Sequence, residues 1–447
     1  MGRTSRLPFP IEDYKIRQDF FLKDIPTDSL VLIPTNPVSY RSNDTTYPYR
    51  ASSYMLYLCG WSDPEAVFMA YHNSKSWVTS IFVQPRDTKA EIWEGRRVGT
   101  EGASSYWPID EAYSLTDMET IIPAKISKSQ KIYSIPHLNR ALDKIISHSL
   151  QSAEVVVSDP KVILDNMRVI KSEGEIRLMQ ESASLASQAH IEGMKGSFSG
   201  VGEWEIQSII DSYFTKKQSC PSYNSIVGGG DNGTILHYNS NDARINDGDL
   251  VLVDAGCEIS GYASDITRTW PVNGKFTEPQ KEIYELVLKA EIAGIASCQA
   301  GSPWSFMHHA TSKVLAQGLI DLEILDCSLD EALGKNFDGP YRNFFMHGTG
   351  HMLGLDVHDV GGGRQGDATN DERTLQPGMV LTIEPGLYFG SWRTDIEVPA
   401  RYSGIGIRIE DDVLITANGP VVLTSECPKE ISEIESLISK GLSGNNA

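Results

Sequence analysis

The stretch from Val251 to Trp270 constrains this chain more than any other. It reads as two strands rich in β-branched residues, joined at Ser260-Gly261, a two-residue hairpin signal. With those residues as the turn, Ile259 faces Tyr262 and Asp254 faces Thr267, which makes Asp265 the diagonal neighbour of Asp254 on the same face. Diagonal neighbours lie roughly 7–8 Å apart at the backbone. Two carboxylates leaning together across that gap suit a pair of metal ions about 3.5–4 Å apart.

At 447 residues the chain exceeds the size at which one core keeps growing, so two domains are expected. The hydrophobic fraction of 40% is that of a globular protein, and no apolar run is long enough to cross a bilayer. The opening from Met1 to Arg6 lacks the apolar segment of a secretory signal, and Arg6 stands where myristoylation needs Ser or Thr. Six scattered cysteines without a Cys-x-x-Cys pair suggest neither a disulfide framework nor a thiolate zinc site, so a cytoplasmic location is expected. A formal charge of −20 argues against nucleic acid as a partner, and no membrane partner is expected.

Leu30 to Pro34 and Ala66 to Ala70 read as buried strands of an α/β unit, with a polar, Tyr-rich segment from Tyr40 to Tyr57 between them. Thr88 to Val98 reads as an amphipathic piece carrying Trp93. The character changes after Pro160, placing the domain boundary between 160 and 172. Ser172-Glu-Gly-Glu175 is a capping box that opens a helix to about Gly193, and a second helix spans Glu203 to Lys216. Gly228, Gly230 and Gly233 satisfy G-x-G-x-x-G, but that fingerprint needs a helix beginning on its glycines, and Thr234 to Tyr238 reads as a strand. Dinucleotide binding is therefore rejected. Thr277-Glu-Pro-Gln280 opens another helix to about Ala300, and Trp304 to Leu319 gives one more. Phe344 to Glu410 returns to strands and glycine loops. The helices near 172–196 and 279–299, each leading to acid-bearing strands, suggest two related halves.

Three of the ten histidines, His347, His351 and His358, fall within twelve positions. The i, i+4 spacing of His347 and His351 is that of a helical zinc site, but Gly348 and Gly350 oppose a helix and would instead let backbone approach an ion or substrate. Met379 to Glu384 is an apolar strand ending in an acid and halted by Pro385. Arg408 and Glu410 sit two apart on another apolar strand, hence on one face. A surface Arg–Glu pair would explain those two alone, but not four acids on apolar strands. Asp254, Asp265, Glu384, Glu410 and His351 placed together would repel unless neutralised, and two divalent ions would do so. Oxygen-rich ligation with one imidazole and no thiolate places Mn²⁺ first, with Co²⁺, Fe²⁺ or Zn²⁺ as the other candidates.

These residues, with the surrounding Asp-Ala-Gly, Ser-Asp-Ile-Thr-Arg-Thr, His-Gly-x-Gly-His, Ile-Glu-Pro-Gly and Arg-Ile-Glu-Asp-Asp, resemble the metal site of the pita-bread metallopeptidases. Ser42 to Arg50, Ala90 to Arg97, Pro221 to Val227 and Ile235 to Tyr238 further resemble the bacterial-type Xaa-Pro aminopeptidase family, and the likeness runs from about residue 28 to 436. The resemblance implies an α/β N-terminal domain over 1–168 and an α+β pita-bread catalytic domain over 169–440. It implies that Asp265 and Glu410 bridge the two ions, that Asp254 completes one, and that His351 with Glu384 completes the other. A hydroxide between the metals would attack the Xaa-Pro bond, with Glu384 as proton acceptor. His358 and His237 would stabilise the tetrahedral intermediate, and His347 and Arg408 would lie near the primed side. Asp44, Trp93 and Tyr388 are the implied substrate-binding positions, the first two partly in a neighbouring subunit's site, which implies a homodimer or homotetramer. Thr349 and Gly350 fall in a variable part of the histidine loop.

Within the same fold, a proline dipeptidase would share the metal site, a methionine aminopeptidase generally lacks the first 160 residues, and a creatinase-like enzyme lacks the metal carboxylates. A non-catalytic pita-bread binding protein would normally have lost ligands. Polar and glycine-rich segments at 339–342 and 361–374 suggest exposed loops rimming an open cleft.

Overall fold

The computed structural model describes residues 7–151, 155–363 and 372–444. The opening from Met1 to Arg6, and residues 364–371 of the expected rim loop, lie outside the described residues. The chain divides into two compact units, one running to Met167 and the other starting at Arg168. Among the described residues no helix is long and apolar enough to cross a membrane.

The first unit is built on a six-stranded sheet in the order Glu111–Ser114, Trp77–Val83, Val67–His72, Ser29–Pro34, Lys131–Ser134, Val156–Ser158. Ser29–Pro34 is buried throughout, antiparallel to Val67–His72 and parallel to Lys131–Ser134. Its unbroken apolar run suits a strand covered on both faces. Leu30, Leu32, Val67, Met69 and Phe82 pack under Met118, Ile122, Ile126, Leu142 and Ile146 from two helices. The Thr88 segment departs from the amphipathic expectation. It forms a seven-residue helix, Thr88–Glu94, that buries none of its residues, and Trp93 is 88% exposed. Asp87 holds its start by accepting the backbone N–H groups of Lys89 and Ala90. Asp44 lies at the turn of an exposed hairpin between Tyr40–Ser42 and Thr45–Thr46.

In the second unit, helices Glu173–Lys195 and Glu203–Lys216 precede an antiparallel sheet of Ile226–Gly229, Leu250–Asp254 and Thr267–Pro271. Helices Glu278–Ser297 and Ser305–Asp321 precede a second one, of Val380–Ile383, Asp411–Thr416 and Gly419–Val422. The two long helices begin as the sequence suggests. Ser172 accepts the N–H of Glu175 while Glu175 accepts that of Ser172, and Gln280 accepts the N–H of Thr277. Ala186, Ile210, Ile283 and Val287 of these helices share one core with Val251, Val253 and Trp270 of the first sheet, and Leu381, Ile383, Val413 and Ile415 of the second sheet form a separate cluster.

Ser260 and Gly261 have φ of 54° and 88°, the pair of positive values that a type I′ turn requires. Ile259 pairs with Tyr262 and Asp254 with Thr267, the register read from the sequence. The hairpin is not continuous, however. Cys257–Ile259 and Tyr262–Ala263 leave to form a separate sheet with Cys220–Pro221. At the bend a β-carbon on Gly256 would lie 1.8 Å from the Ser264 carbonyl, so only glycine fits.

Thr234 to Tyr238 is not a strand. A 3-10 turn over Gly230–Thr234 and irregular backbone replace it, because fully buried Glu203 accepts from Gly229 N–H, Asn232, the Tyr238 hydroxyl and Ala243 N–H at 2.7–3.0 Å. No α-helix begins on Gly228 to Gly233, so the dinucleotide pattern lacks its structural context. The 339–342 segment is exposed only at Pro340: Tyr341 is fully buried, and Arg342, half-buried, donates to the carbonyls of Met346 and His347.

Candidate active site

Asp254 ends the Leu250–Asp254 strand as its one partly exposed residue, just ahead of the bend at Gly256. The Tyr223 hydroxyl lies 2.5 Å from both Asp254 Oδ1 and Asp265 Oδ1, so the two aspartates meet as the diagonal register requires. Thr267, opposite Asp254, forms an antiparallel bridge to Glu410 and donates its hydroxyl to Glu410 Oε2 at 2.6 Å. Arg408 and Glu410 are both buried and both reach Thr267 Oγ1, which excludes a surface pair. The partner of Arg408 is Asp254, at 2.7 Å, rather than the glutamate two residues on.

The histidine loop is extended and runs antiparallel to the Val380–Ile383 strand and Glu384. Leu353 donates to Val380, Thr382 to His351 and Glu384 to Thr349. A β-carbon on Gly350 would lie 1.8 Å from the Thr382 carbonyl. That glycine therefore serves the approach of two backbones, not of an ion or substrate. The register sets His351 beside Glu384, with Nε2 to Oε1 at 3.7 Å, and His351 Nε2 lies 3.4 Å from Asp265 Oδ2. Glu384 Oε2 faces His347 Nδ1 at 3.6 Å, and His347 Nε2 accepts from Tyr388, whose oxygen accepts from Arg408. The contacts form a closed ring: Asp254, Tyr223, Asp265, His351, Glu384, His347, Tyr388, Arg408 and back to Asp254.

The charges in the ring explain each other. Burial pushes Glu384 up to about 7, with the Asp265 and Asp254 carboxylates adding to the effect against His351 and Arg408. Burial also pushes Glu410 and Asp254 up. Burial alone would lower His351, but Asp265 and Glu384 raise it to about 9. His347 goes the other way, to about 3, through burial and the Arg408 charge, and is neutral.

These features fit a cation. Ligand atoms of Asp265, His351 and Glu410 lie within 4.8 Å of one another. His351 Nδ1–H donates to the Met352 carbonyl at 3.0 Å, which fixes the ring and aims Nε2 at the carboxylates. The raised acids hold protons where positive charge is wanted, and divalent ions would replace them.

His358 is exposed, with its ring 4.2 Å from that of His351. Desolvation, His351 and His237 together lower its pKa. His237 is also exposed. Asp44 and Trp93 belong to the first unit and are exposed there. The sequence reading missed two residues. Tyr223 lay within a motif valued only for its resemblance, and Thr267 was placed opposite Asp254 with no sign that it would hold Glu410.

An acid and imidazole cluster of this kind, on buried antiparallel strands, defines a metallohydrolase site. Residues 177–417 match the model of metallopeptidase family M24, and residues 14–133 match that of the aminopeptidase P N-terminal domain. The chain is 41% identical over 431 residues to a Xaa-Pro aminopeptidase of Haemophilus influenzae, covering 96% of this chain and 98% of that one. The structure is similar to the Pseudomonas aeruginosa aminopeptidase PepP, with a TM-score of 0.91, 36% identity and coverage of 97% and 99%. It is equally similar to Escherichia coli aminopeptidase P with the inhibitor Pro-Leu, with the same score, identity and coverage. The chain belongs to metallopeptidase family M24, has an aminopeptidase P N-terminal domain followed in sequence by the pita-bread fold, and is a metalloexopeptidase.

Proposed function

We propose that the enzyme is a dinuclear-metal Xaa-Pro aminopeptidase, removing the first residue from peptides whose second residue is proline. The closed ring of acids and imidazoles, in a chain that aligns end to end with Xaa-Pro aminopeptidases, carries this reading. The Escherichia coli relative's inhibitor Pro-Leu supports it, being the product that such cleavage of Xaa-Pro-Leu would leave.

In this reading Asp254, Asp265, His351, Glu384 and Glu410 hold two divalent ions, Mn²⁺ foremost. Those ions supply Lewis acidity and make water acidic enough to react near neutral pH. Glu384 has one oxygen towards His351 and the other towards His347, the placement of a proton acceptor that hands its proton on. His358, exposed beside His351, and His237, exposed and close enough for its charge to act on His358, donate to the negative charge developing on the scissile carbonyl oxygen. His347, Tyr388 and Arg408 line the primed side, and Asp44 and Trp93 contribute from the N-terminal domain of a neighbouring subunit.

The domains span 1–168 and 169–440, and the protein is a cytoplasmic homodimer or homotetramer. The exposed Trp93 and Ile92, at 88% and 76%, support the assembly, and six scattered cysteines without a Cys-x-x-Cys pair support a reducing compartment. The test is release of the first residue from Xaa-Pro-Yaa-Zaa by Mn²⁺-loaded protein, with loss of activity on chelation. Loaded protein that leaves this peptide intact contradicts the reading.

A further inference from the structure

The histidine loop has a histidine with a proposed function at each end and glycine at positions 348 and 350. Thr349 is therefore the only side chain between His347 and His351 that can anchor a segment made loose by its neighbours. Gly348 has nothing within 4 Å of where a β-carbon would stand, so packing does not hold the loop there. Thr349 is 2% exposed and makes two bonds. Its carbonyl accepts the Glu384 N–H at 2.8 Å, and its Oγ1 lies 2.9 Å from Nδ1 of His308, on the Ser305–Asp321 helix.

The surroundings of His308 decide which atom donates. The Tyr341 hydroxyl gives its proton to the Phe337 carbonyl at 2.9 Å, so towards His308 Nε2, 3.5 Å away, it offers a lone pair. Ser312 Oγ approaches the same nitrogen at 3.4 Å. Burial lowers His308 to about 4, so the ring is neutral at neutral pH, with its proton on Nε2 and an acceptor at Nδ1. Thr349 then donates its hydroxyl proton to His308.

We infer that His308 is a positioning residue, which through Thr349 fixes the histidine loop and the Glu384 backbone in the geometry the reaction needs. The inference rests on the aminopeptidase reading. His308 stands behind the loop and touches none of the acids of the ring. It acts on His347, two residues from Thr349, and on Glu384, whose N–H Thr349 receives. A displacement of about 1 Å at such a distance from the chemistry can cost roughly 10²-fold in rate.

Thr349→Val keeps the shape and removes the donor, while Thr349→Ser keeps the donor. With Mn²⁺-loaded enzyme and a Xaa-Pro-Yaa peptide, the valine variant should lose about 10-fold to 100-fold in kcat, with KM changed less than about two-fold and metal content unchanged. The serine variant should stay near wild type, and His308→Asn added to the valine variant should cost nothing more. Wild-type kcat in the valine variant overturns the inference, as does an equal loss in both variants, which would mark a packing effect. Amide exchange over 348–351 tests it without activity: faster exchange in the valine variant supports the inference, and unchanged exchange overturns it. Wild-type protein inert on the peptide would instead defeat the aminopeptidase reading and leave the exchange result to decide this one.

Discussion

The hydroxyl of Tyr223 joins Asp254 and Asp265, 2.5 Å from an oxygen of each. One hydroxyl carries one proton and can donate to only one of them at a time, so the contact marks two acids crowded on a single buried donor. Removing that donor should loosen both carboxylates without opening a large void. Tyr223→Phe is expected to weaken metal binding or activity by about 10-fold to 100-fold while the fold persists. Metal titration of the purified variant checks this, and unaltered affinity and activity would show that Tyr223 does not orient the acids.

Asp265 and His358 should differ in kind. Asp265 touches Tyr223 and faces His351, so Asp265→Ala should abolish activity and lower bound metal together. His358 stands exposed beside His351 and reaches no carboxylate of the ring by a hydrogen bond among the described residues. His358→Ala should keep its metal while kcat falls about 10²-fold or more. Elemental analysis beside steady-state kinetics separates the two outcomes, and loss of metal from the His358 variant would make it a ligand.

His190 gives a prediction about stability. It is fully buried, its Nε2 lies 2.9 Å from the Ala255 carbonyl, and burial lowers its pKa from 6.5 to about 4. The folded protein keeps the ring neutral while the unfolded chain binds a proton below about pH 6.5, so stability falls as pH drops from there towards about 4. Between pH 7 and pH 5 the loss from this one group is about 2 kcal/mol. Urea denaturation of chelated protein at the two pH values should show that extra loss in wild type and not in His190→Asn. Equal losses would mean that His190 is already charged in the fold.

The Val251 to Trp270 stretch was legible because its information is local. A Ser-Gly turn fixes the register, and the register fixes which faces Asp254 and Asp265 share. The helices beginning at Ser172 and Thr277 were legible for the same reason, their caps lying three residues away. What the sequence hid depends on distant chain. Thr234 to Tyr238 has the composition of a strand, but Glu203, some thirty residues earlier, accepts from the side chains of Asn232 and Tyr238 and so holds the segment between them as a turn. Arg408 finds Asp254 across 154 residues, and no spacing argument reaches that far. The break at Gly256 needs the Ser264 carbonyl in place before its necessity appears.

The claim that carries most of the account is removal of one residue ahead of proline, and substrate length and sequence test it directly. The measurement is a chromatographic time course with Mn²⁺-loaded protein on Xaa-Pro-Yaa-Zaa, beside Xaa-Pro and Xaa-Ala-Yaa-Zaa. Xaa-Pro-Yaa-Zaa should lose its first residue while the alanine peptide stays largely intact. Hydrolysis confined to the Xaa-Pro dipeptide would contradict it in favour of a dipeptidase, and preferential cleavage of the alanine peptide would remove the proline specificity altogether.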